Sequence, residues 1–205
     1  MKYSIIKQIS IKKEVQKKDK KMCKKIDELH ELKPDELLKR TEQEDKIPVD
    51  VAQICYDFGI RLSPFDFSPI EKNDDVKNEV AKRGNILGAA VVSGDNLAIL
   101  YRQADSSNRR RFTIAHELAH CCLHMSTDAD FHVEFRTDSS NEKNQKEYEA
   151  NLFAGKLLIP EKSLKRLIGD AKYITKQTSI VLAKLFLVSQ NVMNERLRTL
   201  KINVL

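Results

Sequence analysis

From residue 47 onward, apolar positions recur at intervals that assign elements. In "IPVDVAQICYDFGIRLSPFDF" Val49, Val51, Ala52, Ile54, Cys55 and Phe58 keep helical spacing, with Pro48 near the start. Gly59 is placed to end that helix, and "IRLSPF" reads as a short strand. "IEKNDDVKNEVAKRG" has no such rhythm and predicts a polar loop or short helix. "NILGAAVVSGDNLAILYR" sets two apolar, partly β-branched runs either side of "SGDN", which predicts a hairpin. Asp105, Ser106 and Ser107 are N-cap candidates for a helix running through "TIAHELAHCCLH". Residues 126–144 are polar and predict a surface loop. "QKEYEANLFAGKLLI" predicts a second helix, stopped at Pro160. After it come a helix in "PEKSLKRLI" and, in "TSIVLAKLFLVSQNVMNERLRTL", a helix, a turn at Val188–Ser189 and another helix.

The first 46 residues lack this order. "KKEVQKKDKKMCKKIDELHELKPDELLKR" is dense in charge and sparse in apolar positions, and predicts an exposed helix or partial disorder. Three segments are therefore expected: a charged N-terminal extension over 1–46, a main domain over 47–160 and a helical region over 161–205.

Composition narrows the class. Apolar residues make up 41% of the 205, enough for a core, and no apolar run nears the roughly 18 residues of a membrane span. The Lys-rich start has no apolar stretch of the kind a secretory signal carries. Cys23, Cys55, Cys121 and Cys122 include no C-x-x-C pair, so free buried thiols fit better than a disulfide framework. A cytoplasmic protein without membrane contact is expected. The net charge of +6 is uneven: residues 1–25 hold ten Lys against two acids, and 160–205 hold nine bases against three. Basic ends suit weak contact with nucleic acid through 160–205, although a solvated Lys-rich face explains the same pattern.

The chemistry concentrates at His116, Glu117 and His120, spaced H-E-x-x-H. A helix turns about 100° per residue, so His116 and His120 stack on one face with Cβ atoms roughly 6 Å apart. Two imidazoles placed so can converge on one ion at about 2.0–2.1 Å each. Glu117 then sits beside the ion, where a carboxylate can take a proton from the attacking water and return it to a leaving amine. Ile114, Ala115, Leu118, Ala119 and Leu123 make the rest of the helix apolar and draw both histidines inward. Burying two imidazoles with nothing to bind them is costly, and a metal removes that objection.

A catalytic zinc takes three protein ligands. The position six past His120, where some families place a third His, is Ser126. His124 is four past His120, but one straight helix does not readily converge three side chains over eight residues, so His124 reads as a rim or packing residue. Cys121 and Cys122 point away from the histidine face. The next helix supplies Glu147 and Glu149. Glu147 shares a face with Asn151 at i+4, whose amide oxygen can accept from a ligating histidine and fix its tautomer. Glu149 lies about 200° round and faces away. Glu147 is the expected ligand, with Glu149 the alternative.

"RRRFTIAHELAHCCLH" together with "EYEANLFAGKLLIP" resembles the ImmA/IrrE metallopeptidases of bacteria and their mobile elements, within the gluzincin group. "PVDVAQICYDFGIRL" is similar to that family's opening helix, so the resemblance covers roughly 47–200. It implies an α+β, zincin-like fold: an active-site helix beside a short sheet with an edge hairpin, then a helix-turn-helix-like C-terminal region. It implies His116, His120 and Glu147 as ligands of Zn2+ and Glu117 as general base. Thermolysin-like gluzincins carry Asp where Asn151 stands, whereas Asn suits this family. The implied activity is cleavage of a helix-turn-helix repressor of a phage, mobile element or stress regulon. The hairpin's edge strand would hold the substrate, and the oxyanion donor stays open among Tyr148, His124, His132 and Arg109. A rival expectation is a DNA- or repressor-binding module with a structural or vestigial zinc site, its C-terminal core built from Ala183, Leu185, Leu187, Val192 and Leu197. A scaffold that has lost activity is disfavoured by the intact ligand set.

Overall fold

The structure, a computed structural model, describes residues 24–71, 85–125, 131–137 (backbone only) and 145–205. The described residues open with helices α1 (Lys24–Leu29), α2 (Pro34–Arg40) and α3 (Val51–Asp57), followed by strand β1 (Arg61–Phe65) and a short helix α4 (Ser68–Glu71). Strands β2 (Ile86–Ser93) and β3 (Asn96–Arg102) precede helix α5 (Ser107–Leu123), strand β4 (Phe131–Thr137) and helix α6 (Gln145–Leu158). Helices α7 (Glu161–Ile168), α8 (Lys176–Leu185) and α9 (Gln190–Thr199) complete the chain, with two-residue strands β5 (Tyr173–Ile174) and β6 (Asn203–Val204) around the last pair.

Local chemistry sets these boundaries. Asp50 caps α3 by accepting from the Ala52 and Gln53 N–H groups, each at 3.1 Å. Gly59, at φ +64, ends it: Gly59 N–H reaches Tyr56 O and Ile60 N–H reaches Cys55 O, both at 2.8 Å. Of the three cap candidates for α5, Ser106 does the work, accepting from Arg109 N–H. The hairpin turns at Gly94–Asp95, where Gly94 takes φ +54 and Ser93 pairs with Asn96.

The sheet order is β1-β3-β2-β4, with β1 parallel to β3 and the other neighbours antiparallel. This corrects the expected edge hairpin. Both hairpin strands are interior, and among the described residues the terminal strands are β1 and β4. All of β2 except Ser93 is buried, as an interior strand requires. The polar stretch expected to be a loop contains β4; the rest of 126–144, like residues 72–84, lies outside the described residues. "FHVEFRT" alternates apolar and polar residues, which is the period of a strand.

Helix α5 packs across β2 and β3, and α6 packs along α5. The core also reaches into the charged N-terminal segment. Ile26, Leu29, Leu32, Leu37 and Leu38 are buried, so 24–40 is helical but not a solvated appendage; residues 1–23 lie outside the described residues. The few apolar positions there all face one way, onto α5 and α6. At the other end α8 and α9 are joined by residues 186–189, and this turn is tied to the start of α5. Asn108 Nδ2 donates to Val188 O at 3.2 Å and Arg111 Nε to Leu187 O at 3.3 Å. Ala183 and Leu197 are core as expected and Val192 is partly buried, whereas Leu185 and Leu187 are 46% and 42% exposed. The inward face of α8 is Ser179, Leu182 and Ala183, continued by Phe186; Leu187 follows at φ +51, with its side chain outward. Among the described residues no helix is long and apolar enough to cross a membrane.

Candidate metal centre

Helix α5 delivers His116, Glu117 and His120 into the interior, at 0%, 0% and 1% exposure. Ile114, Ala115, Leu118 and Ala119 are buried with them, so packing fixes the helix's rotation and with it the histidine face. Helix α6 brings Glu147 against that face. His116 Nε2 and His120 Nε2 lie 3.0 Å apart, Glu147 Oε2 is 3.2 Å from the first, and Oε1 is 3.3 Å from the second. Among the described residues these three form the group able to hold a metal ion.

The donor chemistry fits a cation. Asn151 Oδ1 stands 2.9 Å from His116 Nδ1, and an amide oxygen only accepts, so the imidazole proton is on Nδ1. His116 Nε2 is then the nitrogen that faces His120 and Glu147: it donates to the carboxylate when the ring is protonated, and offers a lone pair to a metal when it is not. Burial pushes the Glu147 carboxyl up, but hydrogen bonds and charge from His116 and His120 outweigh it and hold the group well below the usual carboxylate range. Glu147 is thus an anion sharing a buried space with two ring nitrogens, a set that suits zinc.

The other expected residues fall into place around this group. Glu149 turns away as its position on the helix requires: Gln145 Nε2 donates to it at 2.6 Å, and His124 Nε2 is 3.7 Å off. His124 stays out of the triad; its ring stands 5.2 Å from that of His120, and Nε2 donates to Lys146 O at 3.0 Å. Tyr148 is 42% exposed. Arg109 is seven residues before His116, about 10 Å along the helix axis, and pairs with Asp105 at 3.6 Å. His132 falls opposite Val92 on β4, and its side chain lies outside the described residues.

Gly88 was not foreseen. A Cβ on it would sit 2.4 Å from Thr113 Cγ2 and 3.1 Å from Glu117 Oε1. Only a residue without a side chain lets β2 run this close to the acid. The β2–β4 register also shifts between Ile86 and Gly88. A lone glycine inside an apolar strand signals a close approach or a bulge, and here it marks both.

The family model for the IrrE N-terminal-like domain, a peptidase family, matches residues 57–198. The chain belongs to this family. No curated protein matches it. The ImmA/IrrE match begins at the end of α3 and runs almost to the end of α9, so it takes in both helices that carry the His–His–Glu group. Helices α1 and α2 lie outside it and still share its core.

Proposed function

We propose that this chain is a zinc-dependent endopeptidase of gluzincin type, with His116, His120 and Glu147 holding the ion and Glu117 as general base. The observation that carries this is the convergence of both Nε2 atoms on the Glu147 carboxylate beside a second buried carboxylate. When bound, zinc supplies Lewis acidity toward the peptide carbonyl and the attacking water. Glu117 takes the proton of that water and hands it to the departing amine. Asn151 accepts the His116 Nδ1 proton and so orients the ring with Nε2 toward the ion. Gly88 lets β2 press against Glu117 and limits where its carboxylate can go. An extended substrate would add at β4, the terminal strand on the β2 side. The substrate carried over from the family resemblance is a helix-turn-helix repressor in the cytoplasm.

The test is Glu117→Gln. Purified variant and wild type are compared for zinc content and for cleavage of a peptide library read by mass spectrometry. The variant keeps about one zinc per chain and loses cleavage by about 100-fold or more, the usual weight of a general base. Cleavage at the wild-type rate would remove Glu117 from the role.

A further inference from the structure

The third ligand sits in the first turn of its helix. Glu147 is the third residue of α6, in the turn whose N–H groups have no partner further back along the helix. Helix ends fray, so a ligand there needs an external hold if its carboxylate is to stay within reach of two histidines on another helix. One such hold comes after Glu147: Asn151, one turn on, is tied to His116. The other comes before it.

His124 closes α5. Its backbone N–H reaches back to His120 O at 2.9 Å, and its side chain leaves the helix end while only 6% exposed. The ring runs from His120, 5.2 Å away, to the first turn of α6, where Nε2–H donates to the Lys146 carbonyl at 3.0 Å. That carbonyl belongs to the peptide leading into Glu147. The hydrogen bond therefore fixes the backbone from which the ligand projects, and anchors it to the helix that carries the other two. Glu149, 3.7 Å from the same nitrogen, is held by Gln145 and leans on the ring from outside.

We propose that His124 is the positioning residue for the third metal ligand: it contributes no donor to the ion, and sets zinc affinity by fastening the Lys146–Glu147 peptide to the end of α5. This rests on the metal-centre reading above. The role belongs to the Nε2–H group and not to an imidazole as such. A glutamine, whose amide N–H2 can reach a similar distance, can replace it, and an alanine cannot.

The experiment is zinc affinity of the full chain by competition with a chromophoric chelator, for wild type, His124→Ala, His124→Gln and Glu149→Gln, with melting curves of the metal-free proteins alongside. Outer hydrogen-bond partners of metal ligands are worth about 10–100-fold in affinity. His124→Ala is expected to bind zinc at least about tenfold more weakly in that range, His124→Gln to stay within about threefold of wild type, and Glu149→Gln to change little. A purely structural role would lower the metal-free melting temperature and leave affinity alone; that result overturns the proposal. So does a glutamine variant as weak as the alanine one. If His124→Ala does not fold, His124→Gln decides by itself: near-wild-type affinity supports the proposal and a tenfold loss ends it. Failure of the metal-centre reading shows separately, as an unaltered chain that takes up no zinc.

Discussion

Two polar clusters lie between helices among the described residues, one of them partly exposed and the other buried, and they differ in kind. Between α8 and α9, Gln190 Nε2 donates to Ser179 Oγ at 2.6 Å and to Asn194 Oδ1 at 2.9 Å, while the Ser179 hydroxyl donates to Asn194 Oδ1 at 2.8 Å. The two acceptors in these bonds, Ser179 Oγ and Asn194 Oδ1, each meet a donor, and all three side chains are neutral. Between α5 and α6, two imidazole nitrogens and both oxygens of a carboxylate face one another within 3.0–3.3 Å. Hydrogen-bonded polar side chains between helices therefore do not by themselves mark a site; two imidazoles and a carboxylate gathered within one coordination sphere do.

The largest effect expected from this difference follows Glu147→Ala. Zinc affinity falls by more than the roughly 10–100-fold that an outer hydrogen-bond partner is worth, and the melting temperature stops responding to zinc. In the wild type, zinc at a thousand times its dissociation constant stabilises the fold by about 4 kcal/mol. Calorimetry with and without the metal checks both. A variant that still gains that stabilisation would make Glu149 the ligand after all. Next in size is Gly88→Ala. The added methyl must displace Thr113 or Glu117, and an acid moved by about 1 Å costs about 100-fold in rate. Zinc content should stay at the wild-type level, since the atoms nearest the added methyl belong to Thr113, Glu117 and Leu100 and not to His116, His120 or Glu147. Thr113→Ser removes the Cγ2 atom in the way, so the double variant should recover part of the lost turnover. Equal loss in single and double variants would place the damage elsewhere.

How much of this was legible in advance follows from the range of each interaction. The placement of His116, Glu117 and His120 needs only the pitch of one helix, and preferring Glu147 over Glu149 needs only the pitch of the next. The hairpin, the α3 cap and the Gly59 stop are equally local. What escaped depends on partners far away in the chain. "FHVEFRT" has the alternation of a strand, but its polar flanks drew attention to the loop around it. Ile26, Leu29, Leu37 and Leu38 are too few among Lys and Glu to announce a buried stripe, and become one only when α5 and α6 are present to cover them. That the hairpin is interior depends on β1 and β4, which pair with it from outside. Gly88 and His124 act through contacts to other elements, and nothing in their immediate neighbours specifies what those contacts are.

A smaller effect probes the cluster between α8 and α9. Ser179→Ala removes the hydroxyl that joins Gln190 to Asn194, at a cost of about 1 kcal/mol for a lost hydrogen bond. In a chain of this size that lowers the melting temperature by about 2–4 °C. Because the α8–α9 turn is tied to the start of α5, at Asn108 and Arg111 and not at His116 or His120, zinc affinity and the stabilisation by zinc should equal those of wild type. A change in affinity would show that the two clusters are coupled and that the contrast between them is too sharp.

The smallest expected effect concerns a third kind of buried heteroatom. Cys121 and Cys122 follow His120 directly, and thiolates are strong zinc ligands, so they are potential rivals for the ion. Their burial argues that they do not compete. Desolvation pushes the Cys122 thiol up to about 12, and burial, then the neighbouring Cys122 and Asp50 charges, raise Cys55 further. At neutral pH a thiol raised this far stays protonated. A protonated thiol is neither nucleophile nor ligand. Folded protein should therefore show no labelling of Cys55, Cys121 or Cys122 by a thiol-specific disulfide reagent near neutral pH, with or without zinc, while denaturant exposes all three to it. Peptide mapping assigns the labelled positions. Labelling of Cys122 in the native chain that zinc suppresses would mean that sulfur reaches the ion, and the His–His–Glu donor set would have to be redrawn to include it.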